Sequence, residues 1–505
     1  MKAIFALLAS AALLLPGRAA AQPSATPPPK PCSGTVFLDR NANGLRDRGE
    51  RPLRGIPVSN GDTVVMTDRH GRFTLPLAPH GSVFPILPAE YDFPGGAIRN
   101  ARFRYFAEVP QSCGCDFGLV RRDAPARFSI AAVGDVQFGD SLQAGYAARS
   151  FFSEAAAERE LDFALFLGDQ VNDNCEMLEL FASLAGQLPM ASWTLPGNHD
   201  RDMDSIRTLE RYNTLFGADT YAFNHGEVHF VVFNNVLTQG RRGYTGRLTE
   251  RQLRFLRNDL RQVPQERLVV IAQHIPMSAT ENRAEVLSLL EGRRCLILSG
   301  HAHATFRTRH SAQVQELTAG AVCGLLWTGE EDLDGVPLSL QPCGTPRNYF
   351  RIDFDGDGYR FRFKGIGLDA SRQADVWIAG SDPEDRSIEE LAALPRGTVV
   401  VNLFAGGPDT EVRMQLDEGP WQTLTRAKIP APSVLRSRQR QRLGLRKPLQ
   451  AHPSPHRATP SPHVWMGQLP ADTAPGAHTL RLEARDTTSD AAVRISDTRV
   501  IVTGD

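Results

Sequence analysis

The chain has 505 residues, and its 56 Lys+Arg against 57 Asp+Glu give a formal net charge of -1. This balance excludes a strongly basic nucleic-acid-binding protein and a strongly acidic solvating protein. Hydrophobic residues make up 41% and charged residues 22%, as is typical of a globular protein. At roughly 100–200 residues per domain, the length predicts several domains.

The first 21 residues have the pattern of a secretory signal peptide. Lys2 precedes an apolar run over residues 3–15, and small residues lead to a cleavage site after Ala21. The run is short for a membrane span, which needs about 20 apolar residues. We therefore predict export, with residues 1–21 removed and a periplasmic or secreted mature chain that has no transmembrane segment. A retained membrane anchor is the alternative.

Hydrophobic patterning divides the rest of the chain into three parts that follow a Pro-rich spacer at residues 22–31. Residues 32–121 contain short strands between Gly, Asn and Asp turns, which predicts an N-terminal β-sandwich domain. In residues 122–350, apolar strands alternate with helical stretches, which predicts an α/β domain. Residues 351–505 return to strands, beginning with the sequence YRFRFKGIG, and predict a C-terminal β-rich domain.

One segment of the C-terminal part, residues 426–463, carries nine Lys/Arg and no acidic residue. Its many prolines and high charge predict a flexible, solvated basic insert. The alternative is a surface that binds phosphate, lipopolysaccharide or nucleic acid. Since the whole chain is close to neutral, we do not expect nucleic acid as a partner.

The seven cysteines are an odd number, so at least one is unpaired or pairs between chains. Export would permit disulfides. Cys32 can pair with Cys113 or Cys115, and Cys323 can pair with Cys343. The sequence does not choose among these pairings.

Five short polar motifs follow apolar strands of the central part. They are Gly134-Asp135-Val136-Gln137, Gly168-Asp169, Gly197-Asn198-His199-Asp200, Gln273-His274 and Gly300-His301-Ala302-His303. Glycine lets the chain turn sharply off a strand end. Carboxylate, amide and imidazole donors suit divalent Fe, Mn or Zn. Each motif alone is weak evidence, but the five in this order predict a metal site.

The set resembles the calcineurin-like metallophosphoesterase family, whose pattern is DxH, GDxxD/N, GNHD/E, H and GHxH. The resemblance covers residues 126–350 and implies a β-sandwich flanked by helices. The flanking parts resemble the N-terminal and C-terminal β domains of an exported bacterial branch, with residues 461–479 carrying much of the C-terminal likeness. The implied activity is hydrolysis of a small phosphomonoester or phosphodiester, and the oligomeric state is left open.

The resemblance also implies two divalent metal ions, with Asp169 bridging them. The other matching ligands are Asp135 and His303 for the first ion, and Asn198, His274 and His301 for the second. Two such ions clamp the phosphoryl oxygens and lower the pKa of a bridging water, which then attacks in line. His199 would stabilise the transition state or protonate the leaving group, and Asp200 would orient it.

One position departs from the family pattern, because Gln137 stands where the DxH motif has histidine. Its neutral amide oxygen is a weaker donor to a transition metal, so either Gln137 binds through oxygen or an extra water binds the first ion. A surface or periplasmic binding protein with a degenerate metal site is therefore the alternative function. Asn172 and Asp173 would support the site or cap the following helix.

Two further regions contain candidate binding residues. After the last metal motif, Trp327, Asp334, Arg347 and Tyr349 could line a substrate pocket, although Trp327 and Tyr349 could equally pack a domain junction. Near the N-terminus, residues 39–50 fit the calcium-loop pattern D-x-[DN]-x-[DN]-G-x5-E. Its oxygen donors would be Asp39, Asn41, Asn43, the Leu45 carbonyl, Asp47 and Glu50. A plain Asn/Gly turn is the alternative to structural calcium.

Overall fold

The structure is a computed structural model that describes residues 28–111, 113–240, 243–443, 459–486 and 492–501. Three regions follow one another along the chain: an N-terminal β domain, a central α/β domain and a C-terminal β domain. This is the predicted fold class.

Within the described ranges, no helix combines the length and the apolar character needed to cross a membrane. The predicted signal peptide, residues 1–21, lies outside the described residues. Its cleavage and the export of the chain therefore stay predictions. The first strand begins at Lys30, inside the segment predicted as a spacer.

The N-terminal domain is a sandwich of two sheets. Its strands are β1 (Lys30–Leu38), β2 (Pro57–Ser59), β3 (Val64–Met66), β4 (Arg72–Leu77), β5 (Gly81–Pro85), β6 (Tyr91–Asp92), β7 (Arg104–Phe106), β8 (Cys113–Gly114) and β9 (Phe117–Arg121). One sheet has the order β4-β1-β9-β6 with β8 beside β1, and the other has the order β3-β2-β5-β7. In β4, exposed and buried residues alternate, as expected for a strand with one face on a core.

A disulfide joins Cys32 of β1 to Cys113 of β8, while Cys115 is buried and free. The predicted pairing of Cys323 with Cys343 is wrong, since both thiols are free. Cys323 lies against the polar residues of the central domain, whereas the Cys343 sulfur accepts from Thr305. The two thiols therefore have different neighbours.

The central domain has two main sheets and a hairpin. Its strands are β10 (Arg127–Val133), β11 (Phe163–Phe166), β12 (Ala191–Thr194), β13 (Tyr221–His225), β14 (Val228–Phe233), β15 (Val236–Gln239), β16 (Gly243–Gly246), β17 (Leu268–Gln273), β18 (Cys295–Ser299), β19 (Phe306–Arg309), β20 (Val314–Thr318), β21 (Asn348–Asp355) and β22 (Gly358–Gly365). The sheet orders are β12-β11-β10-β21-β22 and β13-β14-β17-β18-β20-β19, and β15 pairs with β16.

Helices flank these sheets. They are α1 (Ser141–Ala147), α2 (Ser153–Ala157), α3 (Leu178–Gly186), α4 (Glu210–Phe216), α5 (Glu250–Leu260) and α6 (Arg283–Leu289). Strands β11, β14, β17 and β18 are buried along their whole length, which is why they have no alternation of polar and apolar residues. Helix α5 begins with a capping box between Thr249 and Gln252.

The central domain extends beyond the predicted boundary at residue 350. Strand β21 pairs antiparallel with β10, and β22 pairs with β21, so the sequence YRFRFKGIG belongs to the first central sheet. The C-terminal domain comprises β23 (Ala374–Ile378), α7 (Glu389–Ala392), β24 (Thr398–Leu403), β25 (Thr410–Leu416), β26 (Gln422–Thr423), β27 (Thr425–Ala427), α8 (Pro432–Arg442), β28 (Val464–Gln468), β29 (Gly476–Asp486) and β30 (Ala492–Ile501).

The first part of the basic segment 426–463 contains the end of β27 and the whole of helix α8. That the segment is a flexible insert stays a prediction. Its arginines on α8 pair with acids that precede or lie in α7: Arg436 with Asp382 and Asp385, Arg438 with Glu390, and Arg440 with Glu384. Three of the basic residues of the segment are thus paired with acidic residues of the domain. Residues 444–458 lie outside the described part of the chain.

Candidate metal centre

The five polar motifs meet at one edge of the central domain. Asp135, Asp169 and Asn198 follow the parallel strands β10, β11 and β12 of the first sheet, and His274 and His301 follow β17 and β18 of the second. The carboxyl ends of parallel strands in packed sheets lie together, so each motif is delivered to the same place. Motifs that are far apart in the sequence therefore form one cluster in the fold.

The backbone of this cluster is held in unusual conformations. The φ angles are +33° at Asp135, +43° at Gln137, +50° at Asp169, +69° at His301 and +45° at His303. Non-glycine residues rarely adopt positive φ, and each costs about 1–3 kcal/mol unless its surroundings hold it. Such strain gathers at functional sites, and here it coincides with the motif residues.

Two glycines of the motifs have neighbouring atoms too close to leave room for a side chain. A Cβ at Gly197 would lie 2.0 Å from Asp169 Oδ1, and a Cβ at Gly168 would lie 2.5 Å from His274 Nδ1. Both distances are far below van der Waals contact. The glycines let the backbone pass directly beside the polar side chains.

One half of the cluster is centred on His274, which is fully buried. Its Nδ1–H donates to the Leu167 carbonyl at 2.8 Å, which turns Nε2 towards the other residues of the cluster. That Nε2 lies 3.1 Å from Asp169 Oδ2, 3.0 Å from Asn198 Oδ1 and 3.2 Å from His301 Nδ1. Ligand atoms of Asp169, His274 and His301 all lie within 4.8 Å of one another, close enough to hold a metal ion.

The pKa values in this half are shifted because the residues are buried and lie beside charged neighbours. Desolvation alone would lower the pKa of His274, but the Asp169 carboxylate raises it to about 9. Burial alone would raise the pKa of Asp169, but the pairing with His274 lowers it. Burial and the neighbouring His274 lower the pKa of His301 to about 3, so His301 is a neutral imidazole available as a ligand.

The other half of the cluster contains Asp135, Gln137 and His303. Both carboxylate oxygens of Asp135 accept from the backbone N–H of His301, at 3.1 and 3.0 Å. Asp135 Oδ1 lies 3.7 Å from His303 Nε2, and His303 Nδ1 donates to the Gly324 carbonyl at 2.7 Å. Burial and the charge of Asp169 raise the pKa of Asp135 to about 7.

Gln137 takes part in this half through weaker contacts. Its Nε2 donates to Asn172 Oδ1 at 3.3 Å, and its Oε1 lies 3.8 Å from Cys323 Sγ. Its amide oxygen is thus not engaged by a strong donor. Asn172 therefore contacts a motif residue, and its supporting role stays a prediction.

His199 is oriented by Asp173 and not by Asp200. His199 Nδ1 lies 2.8 Å from Asp173 Oδ1, and its backbone N–H donates to Asp169 Oδ1 at 2.8 Å. Asp200 instead accepts from the backbone N–H groups of Val171 at 3.0 Å and Gly197 at 2.8 Å. The prediction for Asp200 is wrong because its buried carboxylate is turned towards the backbone that carries the motif.

Three of the four predicted pocket residues are buried, and the fourth is exposed. Trp327 is buried, and its Nε1 donates to the Val136 carbonyl at 3.2 Å behind the Asp135 loop. Arg347 packs over the Trp327 ring, 5.4 Å from its centroid, and Tyr349 lies in the core against Phe151. These three are packing residues, whereas Asp334 lies on an exposed turn.

Sequence patterns missed two residues that border the cluster. Arg201 is 4% exposed, and its guanidinium donates to the Gly197 carbonyl and to the Val236 carbonyl. Its position directly after the Gly197-Asn198-His199-Asp200 motif is the feature of the sequence that could have indicated this role. Tyr244 of β16 packs against His301, and nothing in its local sequence indicates this.

In the loop at residues 39–50, the acidic side chains accept hydrogen bonds from other residues of the loop. Asp39 accepts from the N–H groups of Asn43 and Gly44, and the Asn41 and Asn43 side chains donate to Asp47 Oδ2 at 2.8 and 2.9 Å. The Glu50 carboxylate accepts from backbone N–H groups. Calcium binding by this loop stays a prediction.

Three family models match the chain. The model described as calcineurin-like phosphoesterase matches residues 128–305, and those described as the N terminal and C terminal of calcineurin-like phosphoesterase match residues 40–122 and 316–490. Among curated proteins, no sequence matches this one.

Two of the solved structures similar to this chain are enzymes acting on phosphate. A dimetal phosphatase from Danio rerio is 16% identical, with a TM-score of 0.36 over 47% of this chain and 96% of that one. A 5'-nucleotidase from Candida albicans is 12% identical, with a TM-score of 0.28 over 74% of this chain and 90% of that one. TM-scores this low add nothing to the family matches.

Proposed function

Because the chain belongs to the calcineurin-like phosphoesterase family and is a phosphate-ester hydrolase, we propose that it is an exported enzyme that hydrolyses a small phosphomonoester or phosphodiester with two divalent metal ions. The observation that carries this proposal is the convergence of Asp169, His274 and His301, whose ligand atoms lie within 4.8 Å of one another. Three ligands from three separate strands meeting in this way suit a metal site better than a packed core.

The donor set fits the ions that the family implies. Buried carboxylates, an amide oxygen and neutral imidazoles are ligands for divalent transition metals. Asp169 contacts both halves, since its carboxylate lies beside His274 and its backbone carbonyl accepts from the N–H of Gln137. It would therefore be the shared ligand. Its partners would be Asp135, Gln137 and His303 on one side, and Asn198, His274 and His301 on the other. When bound, such ions polarise the phosphoryl group and lower the pKa of water.

His199 is proposed as the residue that acts on the substrate. Desolvation opposes protonation of its ring, but the hydrogen bond to the Asp173 carboxylate raises the pKa of His199 above its ordinary value. With Nδ1 engaged by Asp173, Nε2–H can donate to a phosphoryl oxygen or give its proton to the leaving alkoxide. The side chain is 30% exposed, which leaves it accessible to a substrate.

Export is supported by two independent features. The first 21 residues have the pattern of a signal peptide, and the Cys32–Cys113 disulfide is the kind of bond that persists in an oxidising compartment. We therefore propose a periplasmic or secreted location. N-terminal sequencing of the protein from a cell fractionation tests this, and a chain that begins at Met1 in the cytoplasm would contradict it.

The first test of the function combines metal analysis with hydrolysis of a chromogenic phosphodiester and its monoester under Mn²⁺, Zn²⁺ and Fe²⁺. Near two ions per chain with metal-dependent turnover is expected. One ion or none, without turnover under any ion, would favour the alternative of a binding protein with a degenerate metal site.

The second test separates catalysis from metal binding. His199→Ala should keep the metal content and lose most of the hydrolysis, because His199 is outside the proposed ligand set. His70→Ala is a matched control, since His70 lies on an exposed turn of the N-terminal domain. Unchanged hydrolysis by His199→Ala would remove His199 from the mechanism.

A further inference from the structure

Tyr244 is an aromatic residue at the mouth of the metal centre that the proposed mechanism does not use. Its ring centroid lies 5.8 Å from that of His301, and the two planes meet at 83°. The residue is 42% exposed. One side of the phenol ring therefore contacts a proposed metal ligand while another part faces solvent.

The hairpin that carries Tyr244 is fixed at its base. The Asn235 side-chain oxygen, just before β15, accepts from the N–H groups of His274 at 3.2 Å and Ile275 at 3.0 Å. Arg201 donates to the carbonyl of Val236, the first residue of β15, at 2.8 Å. The hairpin is thus tied to the same segments that carry the metal-centre residues.

Strand geometry gives Tyr244 its direction. Successive side chains of a strand point to opposite faces. Thr245, the next residue, donates through its hydroxyl to Glu281 at 2.7 Å on the far side of the hairpin. Tyr244 is consequently directed towards His301 and the centre.

The charge of the site suits a neutral ring at this position. The phenol ring adds no further acidic side chain to a site that already contains the carboxylates of Asp135, Asp169 and Asp173. The residues that gather at the centre are otherwise polar or charged. Tyr244 adds an apolar, planar surface beside the position where a phosphoryl group would bind.

Resting on the proposed function, we propose that Tyr244 selects the substrate class: phosphate esters whose alcohol part carries a planar ring, which stacks on the exposed part of the phenol. Offset or edge-to-face ring contacts are favourable beyond the area that they bury. A nucleoside or an aryl alcohol meets this requirement, and a short aliphatic alcohol does not.

The experiment compares benzyl and butyl esters of the phosphate class that the wild type prefers. The two alcohols differ mainly in the planar ring. Tyr244→Ala should raise KM for the benzyl ester about tenfold, the size typical of losing one stacking platform. KM for the butyl ester, kcat for both esters and the metal content should change little.

Two further variants complete the test. Tyr244→Phe keeps the ring and should behave as the wild type, whereas Thr245→Ala is the matched control on the opposite face of the same strand. An equal change in KM for both esters, no change for either, or loss of bound metal in Tyr244→Ala would overturn the inference. A wild type that hydrolyses neither ester under any ion would instead overturn the proposed function on which it rests.

Discussion

The two halves of the metal centre are built from the same kinds of motif but are not equally complete. Around His274, the closest ligand atoms are separated by 3.0 to 3.2 Å. In the other half, Asp135 and His303 are 3.7 Å apart, and Gln137 makes its contacts with Asn172 and Cys323. A strand-end motif therefore delivers a residue to the site, but the side chain decides whether it can contribute a strong ligand.

The largest expected effect comes from removing the central imidazole of the complete half. Because His274 contacts three other proposed ligands, His274→Ala should abolish metal binding in that half and lower kcat/KM by more than about a hundredfold, since even residues outside the ligand shell can account for 10–100-fold. His303→Ala should lower metal content less. Metal analysis and steady-state kinetics of both variants measure this difference. Equal losses of metal in the two variants would contradict the proposed difference between the two halves.

Substitutions of Asp173 and Asp200, the two acidic residues near His199, should have different effects. Asp173→Asn removes the charged partner of the His199 imidazole and should lower kcat by about 10–100-fold with unchanged metal content. Asp200→Asn removes an acceptor of buried backbone N–H groups and should lower the free energy of unfolding by about 1–3 kcal/mol. Kinetics and chemical denaturation measure these effects. The assignment fails if Asp200→Asn, and not Asp173→Asn, lowers kcat in a fully folded, metal-loaded protein.

One substitution is expected to strengthen metal binding in the half that contains Gln137. Gln137→His restores the imidazole that the family pattern has at this position. It should move the metal content towards two ions per chain when metal is limiting, because imidazole is the better donor to a transition metal. Calorimetric titration of the metal-free protein with Zn²⁺ measures both affinities. An unchanged first-site affinity would show that Gln137 does not limit the site.

The last prediction concerns His463, a buried histidine far in sequence from the centre. Unlike His274, whose pKa Asp169 raises, His463 has a pKa lowered to about 4 by burial, with Asn402 as its neutral partner. The folded protein therefore binds this proton more weakly than the unfolded chain does. The contribution to stability is complete above the ordinary value of 6.5 and is lost as pH falls from there towards 4.

Across that window, the free energy of unfolding should fall by about 1.4 kcal/mol per pH unit. His463→Gln keeps a donor for Asn402 and removes the titration, so its unfolding should depend less on pH between these values. Urea denaturation at a series of pH values provides the measurement. Identical pH slopes for variant and wild type would show that His463 does not titrate in this way.

Much of the fold was predictable because local patterns matched it. The buried strands were visible as apolar runs, and each was followed by its polar motif. The N-terminal sandwich followed from short strands between turn residues. The boundary at residue 350 was wrong because β21 and β22 look like any other antiparallel strands, and only their pairing with β10 assigns them to the central sheet.

At the metal centre, the residues that come together could be identified from the sequence alone, since a glycine and a polar residue after a buried strand place each side chain at the same edge of the domain. The contacts that each of these residues makes depend on the tertiary structure. It placed Asp173 on His199, turned Asp200 to the backbone, put Trp327 behind the Asp135 loop and brought Tyr244 to His301. These contacts join residues on separate turns, strands and sheets, and no local propensity encodes a distance between elements that pack only after folding.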